Sequence, residues 1–457
     1  MRGAYLNFAH KDYSKYAEPP PAGRERYFVM NKYENKSRAE LSDELEDVRA
    51  QLAAWKAKGI DLDITRGKPS KDQLAISEGM LGVIHDSEGC RSEGGLDCRN
   101  YGVLDGIPEA KRLFSELLGI PEARLIVEGN SSLNIMFDTV ARAMLFGVYG
   151  GKEPWCRQGK IKFLCPSPGY DRHFAICEAM GIEMIPVEMT PDGPDMDTVQ
   201  KYVESDPSVK GIWCVPKFSN PEGYTYSDET VDRFAALRPA APDFRIFWDN
   251  AYAVHEFCDE TVPLKDIFKA CEKYGTEDNV FFFASTSKIT FPGSGVAIMA
   301  ASENNIAQIK PILSAQTIGF DKINQMRHVK FFKDADGVRR HMKKHADLIR
   351  PRFEAVIAAF RANLTGIAEW TEPRGGYFLD LAVPDGCARR VYELCADTGV
   401  KLTKVGASYP YGIDPRDRHL RIAPTYPSFE DLTSAIEVLC LCVRAAAIEK
   451  VLDGAKA

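Results

Sequence analysis

The stretch VFFFASTSKITFPGSGVAIMA, residues 280–300, decides the fold class of this chain. Two apolar runs flank a loop rich in serine, threonine and glycine, and Lys288 lies in that loop. Similar apolar runs come earlier in the chain, in LIVEG, KFLCP, MIPVEM, GIWCVP and RIFWDNAY, and helical stretches such as Ser132 to Leu145 separate them. Uninterrupted apolar strands that alternate with helices predict a three-layer α/β/α protein, with a mostly parallel sheet covered on both faces.

The segments on either side of this alternating region have a different pattern. Residues 1–74 begin with a polar, proline-rich arm, and SRAELSDELEDVRAQLAAWKAKG then has the apolar spacing of one helix. Gln325 to about Ala362 reads as a charged helical segment, in which KDADGVRRHMKKH is a turn and a solvated helix face. Strands follow in GGYFLDL, VKLTKVG and HLRIAP, and a helix from Phe429 to Leu452 closes the chain. We predict a large domain over residues 75–330, and a smaller α+β domain built from residues 331–457 and the N-terminal helix.

Composition and charge exclude several classes of protein. The 457 residues carry 58 Lys and Arg against 65 Asp and Glu, a formal charge of −7, and no basic block indicates nucleic-acid binding. The longest apolar run, Ala143 to Gly151, is far shorter than the roughly 20 residues of a membrane span. The N-terminus lacks a secretory signal, and the twelve cysteines form no C-x-x-C pair. We therefore expect a cytoplasmic protein that binds neither membranes nor nucleic acid, and no metal site, because the eight histidines lack metal-ligand spacing.

Lys288 is the sharpest chemical signal. Burial at the end of a strand lowers the pKa of a lysine, and the neutral amine then forms a Schiff base with an aldehyde. Two other interpretations stay open at this point. One is an ordinary lysine at a strand end, and the other is the S-x-x-K acyl-transfer motif, with Ser285 of STSK as nucleophile. The K-T-G element that accompanies that motif is absent from the sequence.

Acidic and amide side chains stand at two further strand ends. In RIFWDNAYAVH, Asp249 ends a buried strand, where a carboxylate needs a cation such as a protonated pyridine nitrogen. Tyr252 follows three residues later, and its phenol could reach the 3-oxygen of the same ring. In VPKFSNPEG, Asn220 precedes a proline and is therefore non-helical, so its amide projects from a strand end. A helix-capping aspartate and a plain turn are the alternative interpretations of these two segments.

Two more segments offer groups that bind anions. In LIVEGNSSLNIMFD, Ser131 and Ser132 stand at the start of a helix, where free N–H groups bind phosphate, although either serine could simply cap the helix. In HLRIAPTYPS, Arg421 could hold a carboxylate in a bidentate manner, or point outward from an edge strand. An amine for an aldehyde, an acid for a pyridinium, a phosphate cradle and an arginine for a carboxylate together match one ligand, pyridoxal phosphate.

Ten segments, in order between about Ile64 and Pro427, carry a family resemblance. They are DITRGKPS, NYGVLDGIPEAKRLF, EGNSSLN, CPSPGYDRHF, SNPEG, WDNAYAVH, STSKITFPGSG, NQMRHVKFF, PRGGYFLDL and LRIAPTYP. With these segments the chain resembles the fold-type-I, pyridoxal-phosphate-dependent aminotransferases of the class I/II superfamily. It is most similar to the divergent aspartate aminotransferase subgroup, which is related to MocR-type aminotransferase domains.

The resemblance implies roles for the residues around the cofactor ring. Lys288 would form the internal aldimine and then move a proton between the substrate Cα and the cofactor. Asp249 would keep the pyridine nitrogen protonated, which makes the ring an electron sink. Tyr252 and Asn220 would hydrogen-bond the 3-oxygen, and Tyr170, in PSPGYD, would stack on the ring. Lys288, Asp249 and Tyr252 are the implied catalytic residues.

The phosphate and substrate ends of the site are also implied by the resemblance. Ser131, Ser132 and Ser285 would hold the phosphate, and Tyr101, in RNYG, would reach the phosphate of the other subunit of a homodimer with shared sites. Arg421 would bind the substrate α-carboxylate, helped by the backbone at Gly67.

The implied reaction is a ping-pong transfer of an amino group between an L-amino acid and a 2-oxoacid, with L-aspartate and 2-oxoglutarate as the favoured pair. A pyridoxal-phosphate C–S β-lyase would share every residue named and differ only after Cα deprotonation. A MocR-type effector domain would be non-enzymatic, and the residues before the motif region contain no helix-turn-helix pattern.

Two positions depart from the family pattern. Many relatives carry a phosphate-binding arginine a few residues after the lysine, and here Ser294 stands near that position. The arginine that binds the distal carboxylate of aspartate or glutamate has no clear counterpart. Arg66, Lys322 and Arg327 are candidates because they lie near motif segments.

Overall fold

A computed structural model describes residues 31–454, so the predicted arm before residue 31 lies outside the described residues. The strands are β1 (Leu62–Asp63), β2 (Leu125–Val127), β3 (Lys162–Ser167), β4 (Glu183–Thr190), β5 (Gly193–Pro194), β6 (Val209–Cys214), β7 (Arg245–Asp249), β8 (Val280–Ser285), β9 (Ala297–Ala301), β10 (Glu369–Trp370), β11 (Leu379–Ala382), β12 (Val400–Lys401) and β13 (His419–Ile422). The α-helices are α1 (Asn31–Glu34), α2 (Arg38–Ala57), α3 (Lys71–Ala75), α4 (Pro108–Leu118), α5 (Ser132–Phe146), α6 (Asp171–Ala179), α7 (Met196–Ser205), α8 (Asp228–Ala236), α9 (Ile267–Glu272), α10 (Glu303–Gln316), α11 (Lys322–Phe332), α12 (Ala335–Leu364), α13 (Ala388–Thr398) and α14 (Phe429–Gly454). None of these helices has both the length and the apolar composition that crossing a membrane requires.

An eight-stranded sheet forms the centre of the molecule, in the order β2-β9-β8-β7-β6-β3-β4-β5. The five strands from β8 to β4 pair in parallel with one another. Strand β9 is antiparallel to both β8 and β2, and β5 is antiparallel to β4. The sheet is therefore mostly parallel, as the alternation of apolar strands and helices predicted.

Apolar side chains cover both faces of this sheet. On one face, strand residues such as Trp248 pack against α4, α7, α8 and α9, with Phe234 buried between them. On the other face, Phe247 and its neighbours pack against α5, α6 and α10, with Phe174 buried there. Because successive strand residues alternate between the two cores, the fully apolar strands are explained by burial on both faces. This is the predicted three-layer α/β/α arrangement.

A separate core joins the two ends of the chain. Helix α2 packs on α14, and α12 and α13 complete a cluster that includes Leu45, Phe353 and Leu439. Strands β10, β11 and β13 form a small antiparallel sheet, and β1 pairs with β12 in parallel. Ser37 starts α2 with a capping box, in which its side chain accepts from the Glu40 backbone N–H and Glu40 accepts from the Ser37 N–H. The N-terminal helix thus lies beside the C-terminal helices α13 and α14, while the predicted domain limits stay a prediction.

The charged helical segment after Gln325, in which KDADGVRRHMKKH is predicted to include a turn, consists of two helices. Helix α11 ends at Phe332, Lys333 adopts a left-handed φ of 69°, and α12 begins at Ala335. The Asp334 side chain caps α12 by accepting from the Gly337 N–H at 2.6 Å. A short polar residue that satisfies a free N–H group starts a helix, so the break is encoded at Asp334.

Candidate active site

The predicted site residues meet at the carboxyl ends of neighbouring parallel strands. Strand β7 ends at Asp249, and Lys288 follows three residues after the end of β8. Asn220 lies beyond the end of β6, which pairs with β7. Open parallel sheets bind ligands at this edge, because the loops after adjacent strands diverge there and leave a crevice.

Lys288 lies in a turn in which its amine faces an aromatic ring. Its Nζ is 5.0 Å from the centre of the Tyr252 ring, and the residue is half-buried. Burial lowers the pKa of Lys288 below its ordinary value, and the Asp249 carboxylate acts in the opposite direction. More of the amine is therefore neutral near pH 7 than in a free lysine, as a nucleophile or a base requires.

Asp249 is buried, and only one of its oxygens is satisfied. Its Oδ2 lies 3.1 Å from Nε2 of His173, and the His173 ring stacks on Trp213 with 4.4 Å between ring centres. Its Oδ1 has no hydrogen-bond partner among the described residues. A buried carboxylate oxygen without a partner is costly, so this atom is suited to a cationic N–H donor. His173 belongs to the motif segment CPSPGYDRHF, but sequence reasoning did not predict this contact.

Polar and aromatic groups surround the space next to Asp249. Asn220 is buried, and within residues 31–454 its Oδ1 accepts no hydrogen bond. Tyr252 is also buried, and its burial, reinforced by Tyr170 and Asp249, raises the pKa of its phenol well above the usual value. The edge of the Tyr170 ring meets His173, with 5.0 Å between ring centres. These groups lie around one crevice, as predicted.

The start of α5 presents hydroxyls and free N–H groups. Ser131 precedes the helix and Ser132 is its first residue, and the Ser131 side chain does not cap it. Ser287 lies nearby, because its Oγ donates to the Asn130 carbonyl at 3.2 Å and accepts from Ser285 Oγ at 3.1 Å. Hydroxyls and free N–H groups together at a helix N-terminus, here called the hydroxyl cradle, are suited to an anion. Ser287 was missed by sequence reasoning, although it is next to Lys288 in the same motif.

Helix α11 holds the loop at position 294, where the family arginine is missing. Asn324 Nδ2 donates to the carbonyl oxygens of Gly295 at 2.7 Å and Ser294 at 3.1 Å. Arg327 Nη2 donates to Ser294 Oγ and to Asn324 Oδ1. Of the three candidates for a distal carboxylate, Arg327 thus lies beside Ser294, whereas Arg66 is exposed and Lys322 is buried.

Arg421 and Gly67 both lie next to the ring of Phe378. The Arg421 guanidinium is 5.0 Å from the centre of the Phe378 ring, and its Nη1 donates to Asp171 Oδ1 at 2.9 Å. A Cβ atom on Gly67 would be 2.1 Å from Cζ of Phe378, so only glycine lets the backbone approach so closely. Backbone and guanidinium are thereby brought together, as a carboxylate site requires.

Tyr101 is the predicted site residue that stands apart. Its side chain is 80% exposed on the described chain, at the surface rather than in the crevice around Asp249. A tyrosine this exposed is available to a second subunit.

A hydrogen-bond network of buried side chains holds the backbone carbonyl of Lys288. Tyr377 Oη donates to the Lys288 carbonyl at 3.3 Å, and Gln73 Nε2 donates to Tyr377 Oη at 2.8 Å. Gln73 Nε2 also lies 3.1 Å from His345 Nδ1, and His341 Nε2 lies 2.9 Å from the Ile289 carbonyl. His341 and His345 are buried, so KDADGVRRHMKKH, predicted as a solvated helix face, also has a buried face.

Comparison with known proteins decides the family. A model of the family described as aspartate amino-transferase matches residues 36–455, which is nearly the whole chain. The chain belongs to this family. The predicted aminotransferase activity, the fold and the pyridoxal phosphate cofactor are thereby confirmed.

A protein sequence and a crystal structure from Corynebacterium glutamicum are among the most similar to this aminotransferase. One, named aspartate aminotransferase, is 43% identical over 406 residues, which are 88% of this chain and 94% of that protein. A crystal structure described as an aspartate transaminase superposes with a TM-score of 0.89 at 40% identity, and the match covers 92% of this chain and 99% of that one. An HTH-type transcriptional regulator of Bacillus subtilis is 24% identical over 51% of this chain, so the relation to MocR-type proteins is distant.

The described side chains fit the cofactor of this family. Asp249 Oδ1 is a buried acceptor without a partner in the part of the chain that the structure describes, and the protonated ring nitrogen of pyridoxal phosphate needs such an acceptor. The 3-oxygen needs donors, and the buried side chains of Asn220 and Tyr252 carry them, on the amide nitrogen and the hydroxyl. The hydroxyls at the start of α5 suit its phosphate. The Lys288 amine suits its aldehyde.

Proposed function

We propose that this aminotransferase moves the amino group between L-aspartate and 2-oxoglutarate by a ping-pong mechanism. The observation that carries the substrate pair is the 43% identity, over 94% of its length, to a protein named aspartate aminotransferase. The chemistry that supports the reaction is the placement of Lys288, Asp249 and Arg421 around Tyr252: the Lys288 amine is 5.0 Å from the centre of its ring, and the charges of Asp249 and Arg421 both act on its phenol.

Lys288 is proposed as the residue that handles the proton. When bound, pyridoxal phosphate supplies an aldehyde that takes up amino groups and a ring that accepts electrons from the substrate Cα. The Lys288 amine would hold the aldehyde of the cofactor, and the same amine would accept and return the proton of the substrate Cα. The lowered pKa of Lys288 keeps the amine able to accept that proton near neutral pH.

Asp249 is proposed to keep the ring nitrogen protonated through its unpartnered Oδ1. His173 holds the other oxygen at 3.1 Å and so fixes the carboxylate orientation. Tyr252 and Asn220 are proposed to donate to the 3-oxygen, and Tyr170 to stack on the ring. Ser131, Ser132 and Ser285, with Ser287 added by the geometry, are proposed as the phosphate ligands.

Arg421 is proposed to bind the substrate α-carboxylate with one edge of its guanidinium. Asp171 engages Nη1 at 2.9 Å, whereas Nε is buried without a partner among the described residues, and Nη2 has only a 3.5 Å contact with Thr403. The Nε–Nη2 edge is therefore the one suited to two parallel hydrogen bonds with a carboxylate. The Gly67 backbone lies near this guanidinium, because both are next to the Phe378 ring.

The substrate pair is tested by the half-reaction. Purified protein with its cofactor is mixed with L-aspartate, L-glutamate or L-alanine without any oxoacid, and conversion from the aldehyde to the amine form is followed by absorbance. We expect both dicarboxylic amino acids to react at least about 100-fold faster than L-alanine, because a site that binds a second carboxylate rejects substrates that lack it. Equal rates would contradict the dicarboxylate preference, and release of pyruvate and ammonia from an added cysteine S-conjugate, without any oxoacid, would indicate the β-lyase.

Arg421→Ala is the matched variant for this experiment. The concentration of L-aspartate or L-glutamate that gives half-maximal conversion should rise about 100-fold, because a charged hydrogen-bonding partner of the carboxylate is lost. The absorbance of the bound cofactor should stay as in the wild type. An unchanged concentration dependence would mean that another group binds the α-carboxylate.

A homodimer with shared sites is proposed from the surface. Exposed apolar side chains lie on and near α5, in addition to Tyr101; they are Phe137, Leu145, Phe146 and Ile318. If Tyr101 acts in the site of a second copy, mixing Lys288→Ala subunits with Tyr101→Ala subunits should restore activity, because one site of the mixed dimer has both residues. A mixture no more active than its components, or a monomeric mass in solution, would contradict this proposal.

A reducing compartment such as the cytoplasm is proposed from the cysteines. All twelve are free, and Cys156 and Cys258 are the ones that are not buried. Buried free thiols act as small apolar side chains and persist where disulfides do not form. Fractionation of the source cells would place the protein, and recovery outside the cytoplasm would contradict this proposal.

A further inference from the structure

Arg327 carries a charge that no carboxylate within residues 31–454 neutralises. It lies on α11 and is half-buried, and both acceptors of its Nη2 atom, Ser294 Oγ and Asn324 Oδ1, are neutral. Its Nε is buried and has no hydrogen-bond partner in the same part of the chain. A half-buried guanidinium with an unsatisfied donor is costly, so an anion at this place would stabilise it.

The contacts of Ser294 and Gly295 connect Arg327 with the hydroxyl cradle at the start of α5. A Cβ atom on Gly295 would be 3.2 Å from both the Asn130 carbonyl oxygen and the Ser287 backbone nitrogen. The Ala297 N–H also donates to the Gly129 carbonyl at 2.7 Å. The Arg327 guanidinium is thus hydrogen-bonded to Ser294, and the next residue, Gly295, lies against Asn130 and Ser287 of the cradle.

The cradle by itself offers neutral donors to a doubly charged group. The hydroxyls of Ser131, Ser132, Ser285 and Ser287 carry no charge, and a helix N-terminus contributes about half a positive charge. Lys288 is assigned to the aldehyde at the other end of the cofactor. Arginine, with its planar set of donors, is the side chain best suited to hold a phosphate by two bonds.

We propose that Arg327 is the cationic ligand of the cofactor phosphate, in place of the arginine that many relatives carry near position 294. The inference rests on the proposed phosphate site at the start of α5. It adds a phosphate ligand from helix α11, since Arg327 comes 39 positions after Lys288 in the sequence (327 − 288). The contact with Ser294 favours this role over binding of a distal substrate carboxylate.

The test compares two ligands that differ only in the phosphate. Dissociation constants of pyridoxal phosphate and of pyridoxal are measured by absorbance titration of the apo-protein, for the wild type, Arg327→Gln, Arg327→Lys and the control Lys330→Gln. Lys330→Gln removes a positive charge from the same helix. We expect Arg327→Gln to weaken pyridoxal phosphate about 10- to 100-fold, the effect of losing a charged hydrogen bond, and to leave pyridoxal within about twofold. Lys330→Gln should change neither constant.

Each other outcome has a definite meaning. Equal weakening of both ligands would show that Arg327 only supports the loop at Ser294, and an unchanged constant for pyridoxal phosphate would also overturn the proposal. A rise in KM that is confined to dicarboxylic substrates would assign Arg327 to the distal carboxylate instead. If Arg327→Gln does not fold, Arg327→Lys decides. Its dissociation constant for pyridoxal phosphate, divided by that for pyridoxal, should still be higher than in the wild type. Failure of the wild type to bind pyridoxal phosphate would refute the proposed site itself.

Inorganic phosphate gives a second readout that needs no cofactor. It should raise the melting temperature of the wild-type apo-protein and of Lys330→Gln, and have a smaller effect on Arg327→Gln. An equal shift in all three proteins would contradict a role of Arg327 in phosphate binding.

Discussion

Lys288→Ala should lose turnover by about 10⁴-fold or more, because a general base contributes up to that factor and the covalent attachment of the cofactor is lost as well. The amine has no close substitute: Lys217, a buried lysine in the same region, is engaged by Glu256 at 2.5 Å. The turnover number is measured with L-aspartate and 2-oxoglutarate at saturating cofactor.

The covalent readout separates this effect from a folding defect. Borohydride reduction of the wild type should fix the cofactor mass on the peptide that contains residue 288, and the variant should carry no such mass. Arg327, Asp249 and the phosphate ligands are unchanged in the variant, so it should still bind pyridoxal phosphate without the covalent bond. Retained turnover, or an adduct on another lysine, would refute the assignment of Lys288.

Asp249→Asn should lower kcat by about 10²- to 10³-fold, the range seen when one preorganised electrostatic group is removed from a reaction centre. The amide keeps the shape and the contact with His173 but cannot hold a proton on the ring nitrogen by its charge. The apo-protein should be as stable as the wild type or more stable, because a buried carboxylate with an unpartnered oxygen has been neutralised. Steady-state kinetics and chemical denaturation of the apo-protein measure the two effects.

Asp243→Asn is the contrasting variant. Asp243 lies just before the other end of β7 and forms a buried ion pair with Lys210 at 2.6 Å. Its loss should lower the free energy of unfolding by about 3–5 kcal/mol, since a buried lysine is left unpaired, and leave kcat nearly unchanged. If both variants lowered kcat alike, the effect at Asp249 would be structural rather than catalytic.

Much of the fold was encoded in local patterns. Fully apolar runs such as VFFFA are explained by burial on both faces of a parallel sheet, and the alternation with helices predicted the three layers. The break between α11 and α12 falls at Lys333 and Asp334, within the stretch KDADGVRRHMKKH that is predicted to include a turn.

The site was predictable where a residue type and its place at a strand end sufficed. Lys288 and Asp249 are examples, because each follows or ends a buried apolar run. The contact of His173 with Asp249 could not be predicted in this way, since it joins residues 76 positions apart through the crossover of strands. Arg327 was named as a candidate for a distal carboxylate by proximity along the chain, and its hydrogen bond to Ser294 could not be predicted, because it depends on how α11 packs against the loop.

The network behind Lys288 has a consequence for biosynthesis. The central sheet is complete in sequence at Ala301, but the hydroxyl that holds the Lys288 carbonyl belongs to Tyr377, and Arg421 comes later still. A nascent chain on the ribosome can therefore contain the lysine within a complete set of sheet strands before Tyr377 and Arg421 have been translated. A working site can therefore assemble only when translation is nearly complete. A message truncated before the codon for Arg421 would yield a polypeptide that has the lysine but lacks the arginine for its substrate.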